Sequence, residues 1–235
     1  MLVLGIETST RPGSAALCQD DTCLAEVPLD HDGLRHAQAL PPRVATLLGD
    51  HSLRTDDLDL IAVSRGPGSF TGLRVGIAFA KTLAWAADCQ LVAVDTFTAI
   101  VAHAPLPPAA RSLWVAADAH RHQLFVRPYS RQADDPWTPD QDHSIVNTAD
   151  WCQHLQPHET VIAATPGLLD EFLTNPTTNP ITCPPAAQSI ARLGQRAAHA
   201  GQLDDPVTLE PLYLRKSAAE ESQQGRSLAQ DQPGD

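Results

Sequence analysis

A short, largely apolar run, Leu60-Ile61-Ala62-Val63-Ser64, leads into Arg65-Gly66-Pro67-Gly68-Ser69-Phe70-Thr71-Gly72-Leu73-Arg74-Val75-Gly76 and then into Ile77-Ala78-Phe79-Ala80-Lys81-Thr82-Leu83-Ala84-Trp85-Ala86-Ala87. Few folds accommodate this order. The apolar run bounded by turn residues predicts a buried parallel strand, and the glycines around Pro67 supply the backbone freedom of a sharp strand-to-helix turn. Ser69 or Thr71 then caps the helix, whose free first-turn amides and dipole make a candidate anion site.

Gly72, Gly76, Ala80 and Ala84 recur every fourth residue and form one small-residue stripe along that helix. Each interior glycine costs about 0.8 to 1 kcal/mol relative to alanine, so close packing must offset the loss. The stripe either seats the helix on its own sheet or forms a subunit interface flanked by Leu73, Ile77 and Leu83. Arg74 favours the interface, because a cation in the first turn opposes the helix dipole unless it meets an anion from elsewhere. On that reading Leu40, Val44, Leu47, Gly72, Leu73, Arg74, Gly76, Ile77 and Ala80 are the candidate interface residues. Gly76→Leu should then abolish partner binding and leave the monomer folded.

With 235 residues, 43% of them hydrophobic, the chain can bury one large core or two smaller ones. No window approaches the roughly 18 apolar residues of a membrane span, and the N-terminus lacks a basic region before its short apolar run, so the expectation is a cytoplasmic protein without a membrane partner. Cys18, Cys23, Cys89, Cys152 and Cys183 include no CxxC pair and read as buried thiols rather than a disulfide framework or zinc site. A formal charge of -12 argues against this chain gripping a polyanion alone.

Along the chain, strands are expected at 2–6, 14–17 and 23–27, and a helix at about 34–48 that Pro41 and Pro42 either kink or delay. The strand at 60–64 and its helix precede a strand at 91–94 and a helix near 96–103. The proline-rich stretch at 104–108 then marks a lobe boundary. The pattern restarts with strands at 113–117 and 123–129 and a helix at 148–155. Val161-Ile162-Ala163-Ala164 before Thr165-Pro166-Gly167 echoes the earlier strand before Gly66-Pro67-Gly68. A last helix is expected at 187–200. This gives an N-terminal lobe at 1–104, a C-terminal lobe at 105–215 and a polar, disordered tail at 216–235. Two such lobes describe an α/β, two-lobed actin/Hsp70-like ATPase (ASKHA) fold.

In that architecture an acidic residue after the first strand and a glycine-containing hairpin hold phosphate and Mg²⁺. Glu7, Thr8, Ser9, Gly66, Gly68 and Ser69 are the candidate phosphate-site residues, but no glycine lies between Glu7 and Pro12, so the pocket reads as degenerate. The Gly76-to-Thr82 stretch is one residue short of a Walker A element and falls mid-helix. Ser64 and Ser69 lack the GxSxG elbow. His154 and His158 have HxxxH spacing, but Pro157 disrupts the helix that would align them. His36 reads as a hydrogen-bonded residue of the first helix, and His120 and His122 as solvent-facing. No metal site and no catalytic residues are expected.

The wording from Gly66 to Gly76 resembles the signature of the bacterial TsaB family, also called YeaZ. Leu4-Gly5-Ile6-Glu7-Thr8-Ser9-Thr10 with Ser14-Ala15-Ala16-Leu17 is similar to the family's opening hairpin, and His36-Ala37-Gln38-Ala39-Leu40-Pro41-Pro42 to its first helix. Ala117-Asp118-Ala119 and Pro211-Leu212-Tyr213-Leu214-Arg215 resemble its second-lobe opening and C-terminal motif. Glu7 stands where aspartate is usual, and His120-Arg121-His122-Gln123 replaces an Arg-x-Gly-Glu pattern. The resemblance implies a noncatalytic or regulatory subunit that binds TsaD, works with the ATPase TsaE and forms homodimers when alone. It would support transfer of threonylcarbamoyl from threonylcarbamoyl-adenylate to the tRNA adenosine beside the anticodon, giving t6A. It also implies no intrinsic cofactor, ATP and Mg²⁺ on partner subunits, and tRNA contact through the complex. The rival readings are an actin-like ATPase or kinase acting on its own, and a serine peptidase.

Overall fold

The computed structural model describes residues 1–29, 36–133, 135–173 and 180–214. Its first strand, β1 (Leu2–Glu7), is buried along its whole length. Antiparallel β2 (Ser14–Gln19) lies on one side of it and parallel β4 (Leu60–Gly66) on the other. β3 (Thr22–Pro28) and β5 (Gln90–Asp95) complete a sheet of order β3-β2-β1-β4-β5. Alternation along these strands sorts their side chains onto two covered faces. Leu4, Ile6, Leu17, Ile61 and Val63 meet α1 (His36–Asp50) and α2 (Phe70–Ala87). Val3, Ala16, Leu60, Ala62 and Val92 meet Ala187, Ile190 and Ala191 of α5 (Ala187–His199). The approach of α5 to the sheet depends on missing side chains. A Cβ on Gly5 would lie 2.2 Å from the Ala187 carbonyl oxygen, and one on Gly194 would lie 2.4 Å from the Ala62 Cβ.

The second sheet is built on the same plan. β6 (Ser112–Asp118) pairs antiparallel with β7 (Gln123–Ser130), which also carries β8 (Thr138–Pro139) and β9 (Ser144–Asn147). On its other side β6 pairs in parallel with β10 (Val161–Ala163), which pairs with β11 (Ile181–Thr182). The path β9-β7-β6-β10-β11 repeats the order of the first sheet, and β10 takes the place that β4 holds there. The echo between residues 161–167 and 60–68 is therefore topological. α3 (Thr96–His103) fills the seam, with Phe97 and Ile100 packed on Val115, Ala117 and Ile162. On the far face Cys152 of α4 (Thr148–His154) packs with Leu124, Val126 and Leu169.

Two expectations change. The second lobe is not the continuous segment 105–215, because α5 returns to the first sheet, where its small residues fit against β1, β2 and β4. The chain after α5 stays there too. The Asp204 amide donates to the Leu91 carbonyl at 2.9 Å, Lys81 Nζ to the carbonyls of Val207 and Leu209 at 3.1 and 3.0 Å, and the Leu212 amide to the Arg65 carbonyl at 2.7 Å. The second concerns α1, for which a kink or a late start was expected: it begins ahead of Pro41 and continues through both prolines to Asp50, which excludes the late start. Leu34, Arg215 and the tail at 216–235 lie outside the described residues. Among the described residues no helix is long and apolar enough to cross a membrane.

Candidate functional site

The carboxyl end of β1 meets the turn from β4 into α2. Gly66 takes φ +115°, and a Cβ there would press on Leu73 and on the Leu212 carbonyl at 3.1 and 3.2 Å. Only glycine suits that backbone. A Cβ on Gly68 would lie 2.5 Å from the Ser9 carbonyl oxygen, which accepts from the Ser69 amide at 2.7 Å. Ser69 then caps α2, its Oγ accepting from the Gly72 amide at 3.2 Å. The turn thus closes over the chain that follows β1, and Glu7, Thr8 and Ser9 are 0%, 0% and 2% exposed.

Inside this enclosure the Ser9 amide and hydroxyl both donate to Glu7 Oε1. Glu7 Oε2 and Thr8 Oγ1 are buried without a hydrogen-bond partner among the described residues. Burial pushes the Glu7 carboxyl up to about 7, against the opposing pull of the Ser9, Ser64 and Thr10 hydrogen bonds. The six candidate phosphate-site residues do converge on one place. There the chain's own groups occupy the inward positions, with the Ser64 hydroxyl accepting from the Thr8 amide at 3.3 Å.

Beside this place a cleft of about 430 Å³ opens between the lobes, lined in part by Pro12, Gly13, Glu26, His103, Pro184 and Pro185. The first amide of α5, at Ala187, points to it and already donates to Glu26 Oε1 at 2.8 Å and Ser14 Oγ at 3.0 Å. A carboxylate of the protein therefore holds the favourable end of the α5 dipole.

Eight of the nine candidate interface residues are buried in the chain's own packing. Leu40, Val44, Leu47, Leu73, Ile77 and Ala80 are at most 3% exposed and fill the core beneath α1 and α2. The stripe glycines serve the chain's own packing. A Cβ on Gly72 would lie 2.0 Å from the Thr8 carbonyl oxygen, and one on Gly76 would lie 2.1 Å from Thr8 Oγ1. Arg74 alone of the set is exposed, with its guanidinium 5.0 Å above the Phe70 ring, which in turn stacks on Tyr213 at 5.1 Å. Besides Arg74, the α1–α2 pair turns outward Pro41, Pro42, Ala45, Ala78, Thr82 and Trp85, the last 81% exposed.

Sequence reasoning missed a charged cluster at the seam. Asp95 caps α3 by accepting from the Thr98 amide at 2.8 Å, and its other oxygen lies 3.1 Å from Arg127 Nη1 and 3.0 Å from His143 Nε2. Burial opposes ionisation of Asp95. His143, the Thr98 amide and Arg127 outweigh it and hold the carboxyl below its ordinary value. The cluster ties the end of β5 to β7 and to the loop before β9. Asp95 followed by Thr96 and Thr98 was a readable cap signal, but its partners come from the other lobe and left no local trace.

The remaining candidates separate. Ser64 is buried, and Ser69, though exposed, serves as the cap of α2, with no histidine bonded to either hydroxyl among the described residues. The stretch from Gly76 to Thr82 is mid-helix. α4 ends at His154, and His158 lies beyond it with φ +69°, so the two imidazoles share no helix face. His120, Arg121 and His122 are exposed in the β6–β7 turn, all with left-handed φ. His36 opens α1, and its side chain lies outside the described residues.

Two sheets of one strand order, a seam helix and a closed carboxylate at the end of the first strand define a two-lobed α/β protein of the actin-like ATPase fold. Comparison with known proteins narrows the class. Residues 33–135 match the family model "TsaD: tRNA N6-adenosine threonylcarbamoyltransferase". The TsaB protein of Bacillus subtilis strain 168 is 34% identical over 158 residues, 66% of each chain, and that of Escherichia coli K12 is 30% identical over 62% of each. A tRNA N6-adenosine threonylcarbamoyltransferase from Thermus thermophilus is 34% identical over 54% of this chain and 44% of its own. YeaZ from Pseudomonas aeruginosa superposes with a TM-score of 0.73 at 24% identity, covering 91% of this chain and 99% of that one. The chain belongs to the TsaB (YeaZ) family. The sequence match spans no more than 66% of the length of these curated relatives.

Proposed function

We propose that this chain is a noncatalytic subunit of t6A biosynthesis that binds a TsaD-type transferase and works with a TsaE-type ATPase. In that role it supports transfer of threonylcarbamoyl to the tRNA adenosine beside the anticodon. The observation that carries the noncatalytic part is the closed Glu7 site. Where an ATPase of this fold would admit a nucleotide phosphate, the carboxylate is buried and bonded to Ser9, and Gly68 and Ser69 press on the same backbone. ATP and Mg²⁺ belong to the partner subunits on this reading. The formal charge of -12 leaves most tRNA contact to them as well.

The partner surface is the outward side of the α1–α2 pair. An 81% exposed Trp85 beside exposed Ala78 and Thr82, with exposed Arg74 nearer the start of α2, is an aromatic anchor on a face that allows close backbone approach. The same face pairs two copies of the chain when the transferase is absent. Trp85→Glu is expected to weaken association with a TsaD-type protein about 100-fold or more, as loss of a central anchor does. The melting temperature should stay within about a degree, because the side chain touches little of its own fold. Unchanged affinity on titration calorimetry would move the interface elsewhere.

The functional test is t6A synthesis reconstituted from TsaC-, TsaD- and TsaE-type proteins, ATP, threonine, bicarbonate and tRNA, with and without this chain. Dependence on the chain, with none of the activity when it replaces the TsaD-type protein, is the expected result. Full synthesis without it, together with ATP turnover by the isolated chain, would instead establish an ATPase in its own right.

A further inference from the structure

All five cysteines are free, and the β2–β3 ladder sets two of them opposite each other. β2 and β3 are joined by the two-residue turn Asp20-Asp21, Gln19 faces Thr22 across it, and Cys18 faces Cys23 one step further in. The register shifts only beyond this pair, between Cys18 and Leu17, which faces Ala25; directly opposed residues of an antiparallel ladder hold their Cα atoms about 4.5 to 5.5 Å apart. A disulfide spans about 4.4 to 6.8 Å between Cα atoms. Both side chains leave the sheet on the face that α5 covers, where Cys18 is 0% exposed and half-buried Cys23 packs against the same apolar cluster as Ala187, Ile190 and Ala191. The thiols also sense each other. Burial first, and the Cys23 thiol next, push Cys18 up to about 12, with Glu26 acting in the same direction and Arg192 against them.

We infer that Cys18 and Cys23 are a modification site that closes to a reversible cross-strand disulfide, with a small-molecule disulfide such as oxidised glutathione as the oxidant. The more exposed Cys23 attacks. Its thiolate sulfur bonds to one sulfur of glutathione disulfide, the S–S bond of the oxidant breaks, and one glutathione thiolate leaves and takes up a proton. Cys18, slow toward outside reagents because its thiol is buried and reluctant to ionise, resolves the mixed disulfide from beside it. Its sulfur bonds to that of Cys23 as the second glutathione departs, and its proton goes to that thiolate. In sum two protein thiols are oxidised and one glutathione disulfide is reduced to two glutathiones. The product pins β3, the edge strand, to β2 at the closed end of their hairpin, and excess glutathione reverses it.

The test is equilibration of the full chain in a series of glutathione redox buffers, acid quench, alkylation and peptide mass mapping. One tryptic peptide carries both cysteines, so the expected product is that peptide, unalkylated and lighter by two hydrogens. Cys89, Cys152 and Cys183 should stay alkylated in the same samples. The equilibrium constant against glutathione should exceed that of the urea-unfolded chain by roughly tenfold or more, because the fold holds the thiols at a high effective concentration. Cys18→Ser should retain glutathione on Cys23, and Cys23→Ser should take up none. A wild-type chain that keeps a mixed disulfide at Cys23 overturns the inference. So does one whose Cys18 and Cys23 oxidise no more readily than in urea.

Discussion

Gly72→Ala is expected to destabilise this chain by about 3 kcal/mol, although alanine is the better helix former. The new Cβ would stand 2.0 Å from the Thr8 carbonyl oxygen, a backbone atom one residue beyond β1, in a segment held by the bonds from the Thr8 amide to Ser64 Oγ and from the Ser69 amide to the Ser9 carbonyl. No rotamer change relieves that overlap, so α2 must shift off the end of β1 and strip contacts from the core beneath it. For a chain of this length the loss corresponds to a fall in melting temperature of roughly 6 to 12 °C. Gly76→Ala should cost less, because the atom it meets is Thr8 Oγ1, the end of a side chain. Gly76→Leu, which the stripe alone made a partner-specific lesion, should instead damage the monomer. Gly49→Ala is the internal control. Nothing lies within 4 Å of its Cβ position, so it should gain up to about 1 kcal/mol of helix propensity. Scanning calorimetry of the three alanine variants separates close packing from propensity; a Gly72→Ala chain as stable as the wild type would show that α2 is free to move.

The glycine stripe shows where sequence reading ran out. Spacing by fours fixes which residues share a helix face, and α2 does carry Gly72, Gly76, Ala80 and Ala84 on its buried side. It does not say whose backbone fills the groove. Thr8 does, from the segment just past β1 and far away in sequence, and the outward face with Trp85 was left for a partner. β4, the turn after it and the Ser69 cap were readable because each rests on local chemistry, as did the restart of the pattern in the second lobe. α5 was readable as a helix but not as part of the first lobe. Its destination depends on two separate close approaches, of Gly5 in β1 to Ala187 and of Gly194 in α5 to Ala62. β9 and the two-residue β11 were not readable, because strands that short, both at the ends of their sheet, have too few positions to show alternation. Cys18 and Cys23 are a similar case. Five positions apart they make no motif, and only the two-residue turn sets the register that opposes them.

Glu7 was legible as the carboxylate after the first strand, and its depth was not. That depth has a consequence in the pH dependence of stability. The carboxyl titrates at about 7 in the folded chain against an ordinary 4.5. Below pH 4.5 it is protonated in both folded and unfolded chains, so the fold has its full contribution. Between 4.5 and 7 the unfolded chain ionises while the folded chain does not, and stability falls as pH rises. Above 7 the folded chain holds a buried anion at full cost, about 3 kcal/mol on the ordinary conversion of such a rise. Glu7→Gln keeps an oxygen for the Ser9 donors and removes the charge. The variant and the wild type should therefore melt alike near pH 4, and the variant should melt higher at pH 8 by up to roughly 6 to 12 °C. Asp95, whose carboxyl is held low, loses stability in the opposite direction and only in acid, below this window. It is common to both proteins and drops out of the difference. Parallel melting curves from pH 4 to 8 would mean that water or an ion reaches Oε2 and that the turn over Glu7 is open. Divergence across 4.5 to 7 would show the carboxylate is sealed, as the noncatalytic reading requires.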